Sequence, residues 1–489
     1  MSERLPTGSE EDGCFEPVIG LEVHVQLNTN TKIFCGCSTG YAYQPPNTFV
    51  CPVCLGLPGV LPVLNSAVLE KAVRTILAVG GEVSAFSKFD RKNYFYPDLS
   101  KAYQISQYDK PIGRGGGIDL VLDGVEKHIR INRIHMEEDA GKLTHDTRGD
   151  SSCVDYNRAG VPLLEIVSEP DIRSSAEAKE YLIKLKAILE YIEVSTCNME
   201  EGTLRCDANV SIRPRGREAF GTRAEIKNLN SFKWVARALD HEIERQIKLV
   251  QKGGEVVQET RLWDENKGVT RAMRSKEEAH DYRYFPDPDL PPIRFPVALI
   301  ETSRRSLPEL PDARRRRFVE CYGLPAYDAG VLTSSRELAE YFEAAVAEQS
   351  SAKTISNWIM TELLGRMNES GETLATQRVP PANLGSLVAL IESGVISGKM
   401  AKDVFNEMFE KGLQAKDIVK ARGLEQISDD SFIESVVDRI LEAYPNVVSE
   451  VKSGKTQAKG FLVGQIMKET KGKANPNIVN QILQTKLGV

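Results

Sequence analysis

Cys35-Gly-Cys37 and Cys51-Pro-Val-Cys54-Leu-Gly56 form two close thiol pairs separated by thirteen residues. That spacing suits four thiolates converging on one tetrahedral Zn²⁺, against the plainer reading of four unrelated buried thiols. Four protein ligands fill the coordination sphere, so the expected role is structural. Cys14, Cys153, Cys197, Cys206 and Cys321 are scattered along the chain and read as structural. A second chemistry is suggested by acids set among bases. Glu22 and His24 lie two residues apart on an alternating stretch, so both reach the same side of a strand. Asp207 and Glu225 stand on polar faces of the same kind, interleaved with Arg205, Arg213, Arg223 and Lys227. His135-Met-Glu137-Glu138-Asp139 packs three carboxylates into a short stretch, and Leu164-Glu165-Ile166 puts one inside an apolar run. A carboxylate buried there needs a partner or a metal. Oxygen ligands with one imidazole suit Mg²⁺ or Mn²⁺, and Arg205, Arg223 and Lys227 suit phosphate oxygens. The same pattern is also compatible with ion pairs on an exposed sheet.

The elements that must position these groups are legible in part. Ile19, Leu21, Val23, Val25 and Leu27 alternate with Gly20, Glu22, His24 and Gln26, which is the pattern of a half-buried strand. Residues 204–213 and 222–228 alternate in the same way, and their short Pro/Gly-containing connection predicts an antiparallel hairpin. Helices are expected after Asn65, ending at Gly80–Gly81, after Ser174 with Glu177 completing a capping box, and from Ser231 to Lys252. Gly113-Arg-Gly115-Gly-Gly117 reads as a hairpin turn rather than a dinucleotide loop. Ser453-Gly454-Lys455-Thr456 lacks the glycine a phosphate loop needs at Ser449. No Gly-x-Ser-x-Gly elbow or cysteine–histidine pair supplies a glutaminase nucleophile.

The chain has 489 residues and a net charge of −7, from 62 basic and 69 acidic side chains. That length predicts about three domains with cores large enough to need no disulfides. No apolar run approaches the ~18 residues of a membrane span. The odd cysteine count and the polar, acidic first residues fit a cytoplasmic protein with reduced thiols. Residues 451–489 hold seven lysines and one glutamate, a local +6 that fits contact with nucleic acid as well as it fits a solvated helix face. The Pro-rich stretch 286–296 reads as a domain junction, and a second composition shift falls near Gly412–Gly423.

Several longer motifs carry a resemblance. They are Val18-Ile-Gly-Leu-Glu22-Val-His24, Lys88-Phe-Asp-Arg-Lys-Asn-Tyr-Phe-Tyr-Pro-Asp98, His135-Met-Glu-Glu-Asp-Ala-Gly-Lys142 and Glu165-Ile-Val-Ser-Glu-Pro-Asp171. Met199-Glu-Glu-Gly-Thr-Leu-Arg-Cys-Asp-Ala-Asn209, Lys227-Asn-Leu-Asn-Ser-Phe232 and Asp281-Tyr-Arg-Tyr-Phe-Pro286 complete the set. Together they resemble the B subunits of tRNA-dependent amidotransferases over nearly the whole chain. The resemblance implies an α+β fold, with a glutamine-synthetase-like cradle domain carrying an antiparallel sheet (residues 1–295). An all-α helical domain (296–410) and a small helical tail domain that binds tRNA (411–489) would follow. It implies ATP-dependent amidation of Glu-tRNA(Gln) and/or Asp-tRNA(Asn), with ATP and Mg²⁺ used here. Ammonia would come from a partner amidase, the A subunit of a heterotrimer, with the small C subunit as the bridge. Carried over by residue, His24, Glu138 and Glu165 match one Mg²⁺ site. Glu22, Asp207 and Glu225 match positions around a second metal and phosphate. The other class of function is a non-catalytic, zinc-containing tRNA-binding subunit, which would have no need of a buried Glu165.

Overall fold

The computed structural model describes residues 15–145, 151–275, 282–347, 351–424, 430–452, 456–470, 474 and 476–488. Cys14, Asp281 and the Lys455, Lys471 and Lys473 part of the basic tail lie outside them. The chain divides into two compact units, Met1–Leu310 and Pro311–Val489.

The first unit is mixed α/β, built on a ten-stranded sheet. Its middle is made of β1 (Phe15–Gln26), β2 (Val125–Glu138), β3 (Pro162–Ser168), β4 (Leu204–Pro214) and β5 (Ala224–Leu229). Their order across the sheet is β5-β4-β1-β3-β2, with every neighbouring pair antiparallel. The expected pairing of β4 with β5 is therefore present. Strand Glu259–Asp264 adds to β5 in parallel and Val269–Ser275 follows it, while short strands at Glu82–Val83 and Gly113–Arg114 extend the β2 side.

Alternation decides which way the sheet faces. Ile19, Leu21, Val23 and Val25 of β1 are fully buried, as are Ala208 and Val210 of β4. They share one core with α1 (Ser66–Ala78), α2 (Ser175–Tyr191) and α3 (Phe232–Gln251), through side chains such as Val73, Ile76, Leu185 and Leu239. Each large aliphatic chain so buried contributes roughly 1.5–3 kcal/mol. The polar partners in the alternation are thereby turned to the opposite face. The helices begin where their caps stand: Asn65 Oδ1 accepts from Ala67 N at 2.9 Å, Ser174 Oγ from Glu177 N at 3.1 Å, and Ser231 Oγ from Trp234 N at 3.2 Å. Losing one such cap costs about 1 kcal/mol.

One sequence expectation changes here. Gly113–Gly117 is not a hairpin turn. Gly113–Arg114 and Gly117–Leu122 both pair with β2 in one continuous register, and the turn lies at Asp123–Gly124. Glycine is needed at 116 because a Cβ there would stand 2.4 Å from Val79 O at the end of α1. The Pro-rich stretch 286–296, read as a domain junction, is tied to the first unit. Its short strands pair with Asp90–Asn93 and Phe86–Ser87, and Leu290, Ile293 and Phe295 enter the first core.

The elements of the second unit are helices among its described residues. It holds two separate apolar clusters, one around Phe318, Phe342, Ile359 and Phe405, the other around Ile433, Val437, Leu462 and Leu483. Helices Gly398–Lys411 and Ala415–Arg422 each end on a left-handed glycine, Gly412 and Gly423, at the composition shift read from the sequence. No helix among the described residues is long and apolar enough to cross a membrane.

Candidate functional site

Register brings distant residues into one row. Glu165 of β3 stands opposite His135 of β2 on one side and His24 of β1 on the other, and His24 stands opposite Arg205 of β4. His135 Nε2 lies 3.0 Å from Glu165 Oε2 and 3.1 Å from Glu137 Oε1, and His24 Nε2 lies 3.5 Å from Glu165 Oε2. Glu137 also accepts from Ser106 Oγ at 2.6 Å and Gln104 Nε2 at 3.1 Å. His135, Glu137 and Glu165 are all buried.

The electrostatics follow from this crowding. Burial alone would keep both imidazoles neutral. The Glu165 charge and hydrogen bonds to the carboxylates override it, raising the His24 value and pushing His135 up to about 9. Burial likewise disfavours the Glu165 anion, yet the charges of His135 and His24 hold it well below the ordinary range. Glu137, opposed by burial and by Glu165, is drawn down to about 2 by its hydrogen bond to His135. The two buried anions are thus offset here by the neighbouring imidazoles. A divalent cation would balance them equally well, and His24, Glu137 and Glu165 can each point one ligand atom into a space where all three lie within 4.8 Å of one another. His135 Nδ1, on the side of the ring away from these carboxylates, is buried without a hydrogen-bond partner among the described residues.

The expected ligand Glu138 is not in this group. A strand alternates, so His135 and Glu137 share one side of β2 and Glu138 takes the other. There Glu138 pairs with Lys101 and accepts from Ile105 N at 2.9 Å, beside Cys54 and Lys32. Parity with His135 is the signal in the sequence that points to Glu137.

Asp207 and Glu225 gather around one cation, with Glu22 next to them. Glu22 faces Asp207 across β1 and β4, and Lys227 Nζ reaches Asp207 Oδ2 at 2.5 Å and Glu225 Oε1 at 3.3 Å. Asn209 Nδ2 donates to Glu22 Oε1 at 2.8 Å, and Thr260 Oγ1 to Glu225 Oε2 at 2.9 Å. Burial would lower the lysine value, but Asp207 and Glu225 keep it raised. These three carboxylates do not close into a tight metal-sized group of their own. Arg223 and Glu22 line a pocket of 220 Å³ with Gly20, Ser168, Asn209 and Phe220. Arg205 is held by Asp139, at 2.9 Å, which also accepts from Gln26 at 2.9 Å. Asp139, one of the three clustered carboxylates, thus has a distant partner, and Lys92 is a further cation at this site that the sequence pattern does not mark. Burial would lower the Lys92 value, but Glu137, Tyr284 and Glu165 hold it raised, and its ammonium lies 4.8 Å from the centre of the Tyr282 ring.

The four cysteines converge. The Sγ atoms of Cys35, Cys37, Cys51 and Cys54 lie within 4.8 Å of one another, with Cys51 and Cys54 3.9 Å apart. A tetrahedron of Zn–S bonds near 2.3 Å has edges of roughly 3.8 Å, so the set fits zinc. Cys51 N points at Cys54 Sγ at 3.1 Å, and Gly56 turns the chain in the left-handed region where a Cβ would strike Lys101. A hydrogen bond from Cys35 brings the Cys54 thiol down to about 4, whereas burial pushes Cys37 up to about 11.

Comparison with known proteins agrees in extent. Residues 17–301 match the family model described as the GatB/GatE catalytic domain, and residues 340–487 match that described as the GatB domain. The chain is 58% identical over 475 residues to the B subunit of the aspartyl/glutamyl-tRNA(Asn/Gln) amidotransferase of Moorella thermoacetica, covering 97% of this chain and 100% of that one. Proteins of the same name from Carboxydothermus hydrogenoformans and Solidesulfovibrio magneticus are 56% and 55% identical, each covering 97% of this chain and 99% of the relative.

Proposed function

This chain belongs to the GatB family, the B subunits of glutamine-hydrolysing aspartyl/glutamyl-tRNA amidotransferases, and on that footing we propose that it activates the side-chain carboxylate of Glu-tRNA(Gln) and/or Asp-tRNA(Asn) for amidation. The observation that carries the reading is the group of half-buried His24 with buried Glu137 and Glu165 on the polar face of the sheet. A tRNA-binding protein without chemistry has no use for it.

A carboxylate is a poor acyl donor until one oxygen becomes phosphate. The side-chain oxygen takes the γ-phosphoryl group of ATP, and ammonia then displaces phosphate to leave the amide. Magnesium bound with ATP supplies neutralisation of the charge spread over the phosphoryl oxygens. On this chain, His24, Glu137 and Glu165 would hold one cation. Glu22, Asp207 and Glu225 would stand around a second metal and the phosphates. Lys227 and Arg223 would meet phosphate oxygens. Arg205, fixed by Asp139, would orient them, since a guanidinium already held by a carboxylate loses little freedom on binding. The four-cysteine knuckle would hold a structural Zn²⁺.

We assign this chemistry to a cradle within residues 1–295, related to glutamine synthetase. Residues 296–410 would form the helical domain, and tRNA contact would fall to the tail, 411–489. Glutamine hydrolysis would belong to the amidase, or A, member of a cytoplasmic heterotrimer, joined to this chain through the small C member. The division matters because ammonia is mostly protonated near neutral pH, and ammonium is not a nucleophile.

The test is ATP hydrolysis by the reconstituted complex with and without misacylated tRNA. Hydrolysis should require the misacylated tRNA and disappear in Glu165→Gln. Hydrolysis indifferent to tRNA, or unchanged in that variant, would refute the assignment.

A further inference from the structure

Lys32 is fully buried, in the chain segment just ahead of the first cysteine pair. Its ammonium has three hydrogens to place and three acceptors in reach: Phe49 O at 2.8 Å, Tyr156 O at 3.5 Å and Cys54 Sγ at 3.7 Å. Among the described residues it has no carboxylate partner. A buried ammonium left without a counter-charge is strongly unfavourable. Glu138 lines the same pocket but is already paired with Lys101, so the negative charge left for Lys32 to meet belongs to the thiolates. Four thiolates around one Zn²⁺ carry a net charge of −2, and that too must be offset where Cys54 is buried. The two requirements answer each other. Space for the arrangement comes from Gly160, whose left-handed backbone (φ +83) lies against the Lys32 stem and Cys54 Cβ, each 3.6 Å from where its own Cβ would be.

We propose that Lys32 is a working part of the zinc centre. Its ammonium donates to the Cys54 thiolate, offsets part of the charge of the four-cysteine complex and so retains the metal. The same nitrogen ties the loop between the cysteine pairs, through Phe49 O, to the segment that leads into β3 and Glu165, through Tyr156 O. The inference rests on the four cysteines binding zinc, and it goes beyond that reading by giving the site an outer partner. An N–H donor on a metal-bound thiolate draws electron density from sulfur, which makes that sulfur harder to protonate, alkylate or displace. Loss of such partners typically weakens metal binding by about ten- to a hundredfold.

The test uses the full-length protein and Lys32→Met, which keeps the stem and removes the charge. Zinc release into an excess of chromogenic chelator should be at least about tenfold faster in the variant. In the cobalt-substituted protein, the sulfur-to-metal charge-transfer band should move to lower energy, because a thiolate relieved of its donor gives up electrons more readily. A purely packing role for Lys32 would not move that band. If Lys32→Met does not accumulate as folded protein, the neutral Lys32→Gln carries the same two measurements. Release within about twofold of wild type together with an unmoved band, in a variant holding a full equivalent of metal, would overturn the proposal. Wild-type protein that binds no zinc would instead remove the reading beneath it.

Discussion

Replacing Glu137 and Glu138 one at a time by glutamine separates two neighbours that the fold sends to opposite sides of one strand. Both changes keep shape and remove one charge. A dication about 3 Å from a carboxylate centre, in an effective dielectric near 20, is attracted by roughly 11 kcal/mol. If desolvation offsets three quarters of that, about 3 kcal/mol remains, which is somewhat more than a hundredfold in affinity. Glu137→Gln should therefore weaken binding of Mn²⁺, standing in for Mg²⁺, by about that factor in titrations followed by electron paramagnetic resonance. Glu138 bonds to Lys101 and Ile105 N, away from His24 and Glu165. Glu138→Gln should leave Mn²⁺ affinity within about threefold of wild type, whatever it does to turnover. Equal weakening by the two variants, or weakening by Glu138→Gln alone, would refute the placement.

Metal analysis of protein expressed with zinc should find about one equivalent, lost in Cys51→Ser; four freely titrating thiols in the wild type would contradict this. Lys459 and Lys468 lie on the Thr456–Glu469 helix of the tail, and changing both to glutamine should weaken tRNA binding and flatten its salt dependence by about one unit of slope for each phosphate no longer neutralised. Charge removal is the better test than truncation after Val448, which would strip Leu462, Ile466 and Leu483 from a packed cluster. Glu242 is fully buried and bonded to Arg245, Gln246 and Thr270 at 2.6, 3.0 and 2.8 Å, so Glu242→Ala should cost about 3 kcal/mol in denaturant unfolding. Burial opposes its charged form, but Arg245 and Gln246 hold the carboxyl below its usual value. Its contribution is therefore present above the unfolded value of about 4.3 and lost as pH falls through the lower folded value, making the wild type lose more stability in acid than the variant.

What the sequence made legible was local. The alternation of Ile19 through Leu27, the caps at Asn65, Ser174 and Ser231, and the spacing of four cysteines each depend on neighbours in the chain, and each has its counterpart in the fold. What stayed hidden depends on pairing between distant segments. Parity separates Glu137 from Glu138, but that His135 and Glu137 stand beside Glu165 at all is settled by the register of β2 against β3. Asp139 holds Arg205 across 66 residues of chain, and no local pattern marks the pair. The glycines at 113–117 have the composition of a turn. Their use is to let a strand edge pass close under the end of α1, an approach visible only once both are placed. Prolines at 286–296 block helix, but they did not stop two short edge pairings that hold the stretch to the first unit.

The activation step itself leaves a traceable atom. If the side-chain oxygen of the aminoacyl group attacks the γ-phosphorus of ATP, that oxygen departs with phosphate when ammonia forms the amide. Glu-tRNA(Gln) carrying oxygen-18 in its side-chain carboxylate should be supplied to the reconstituted complex with ATP, Mg²⁺ and glutamine, and the inorganic phosphate examined by mass spectrometry. One labelled oxygen should appear in phosphate for each amide formed, and both label transfer and amide should vanish in Glu165→Gln. Amide formed without label in phosphate would contradict carboxylate phosphorylation on this sheet.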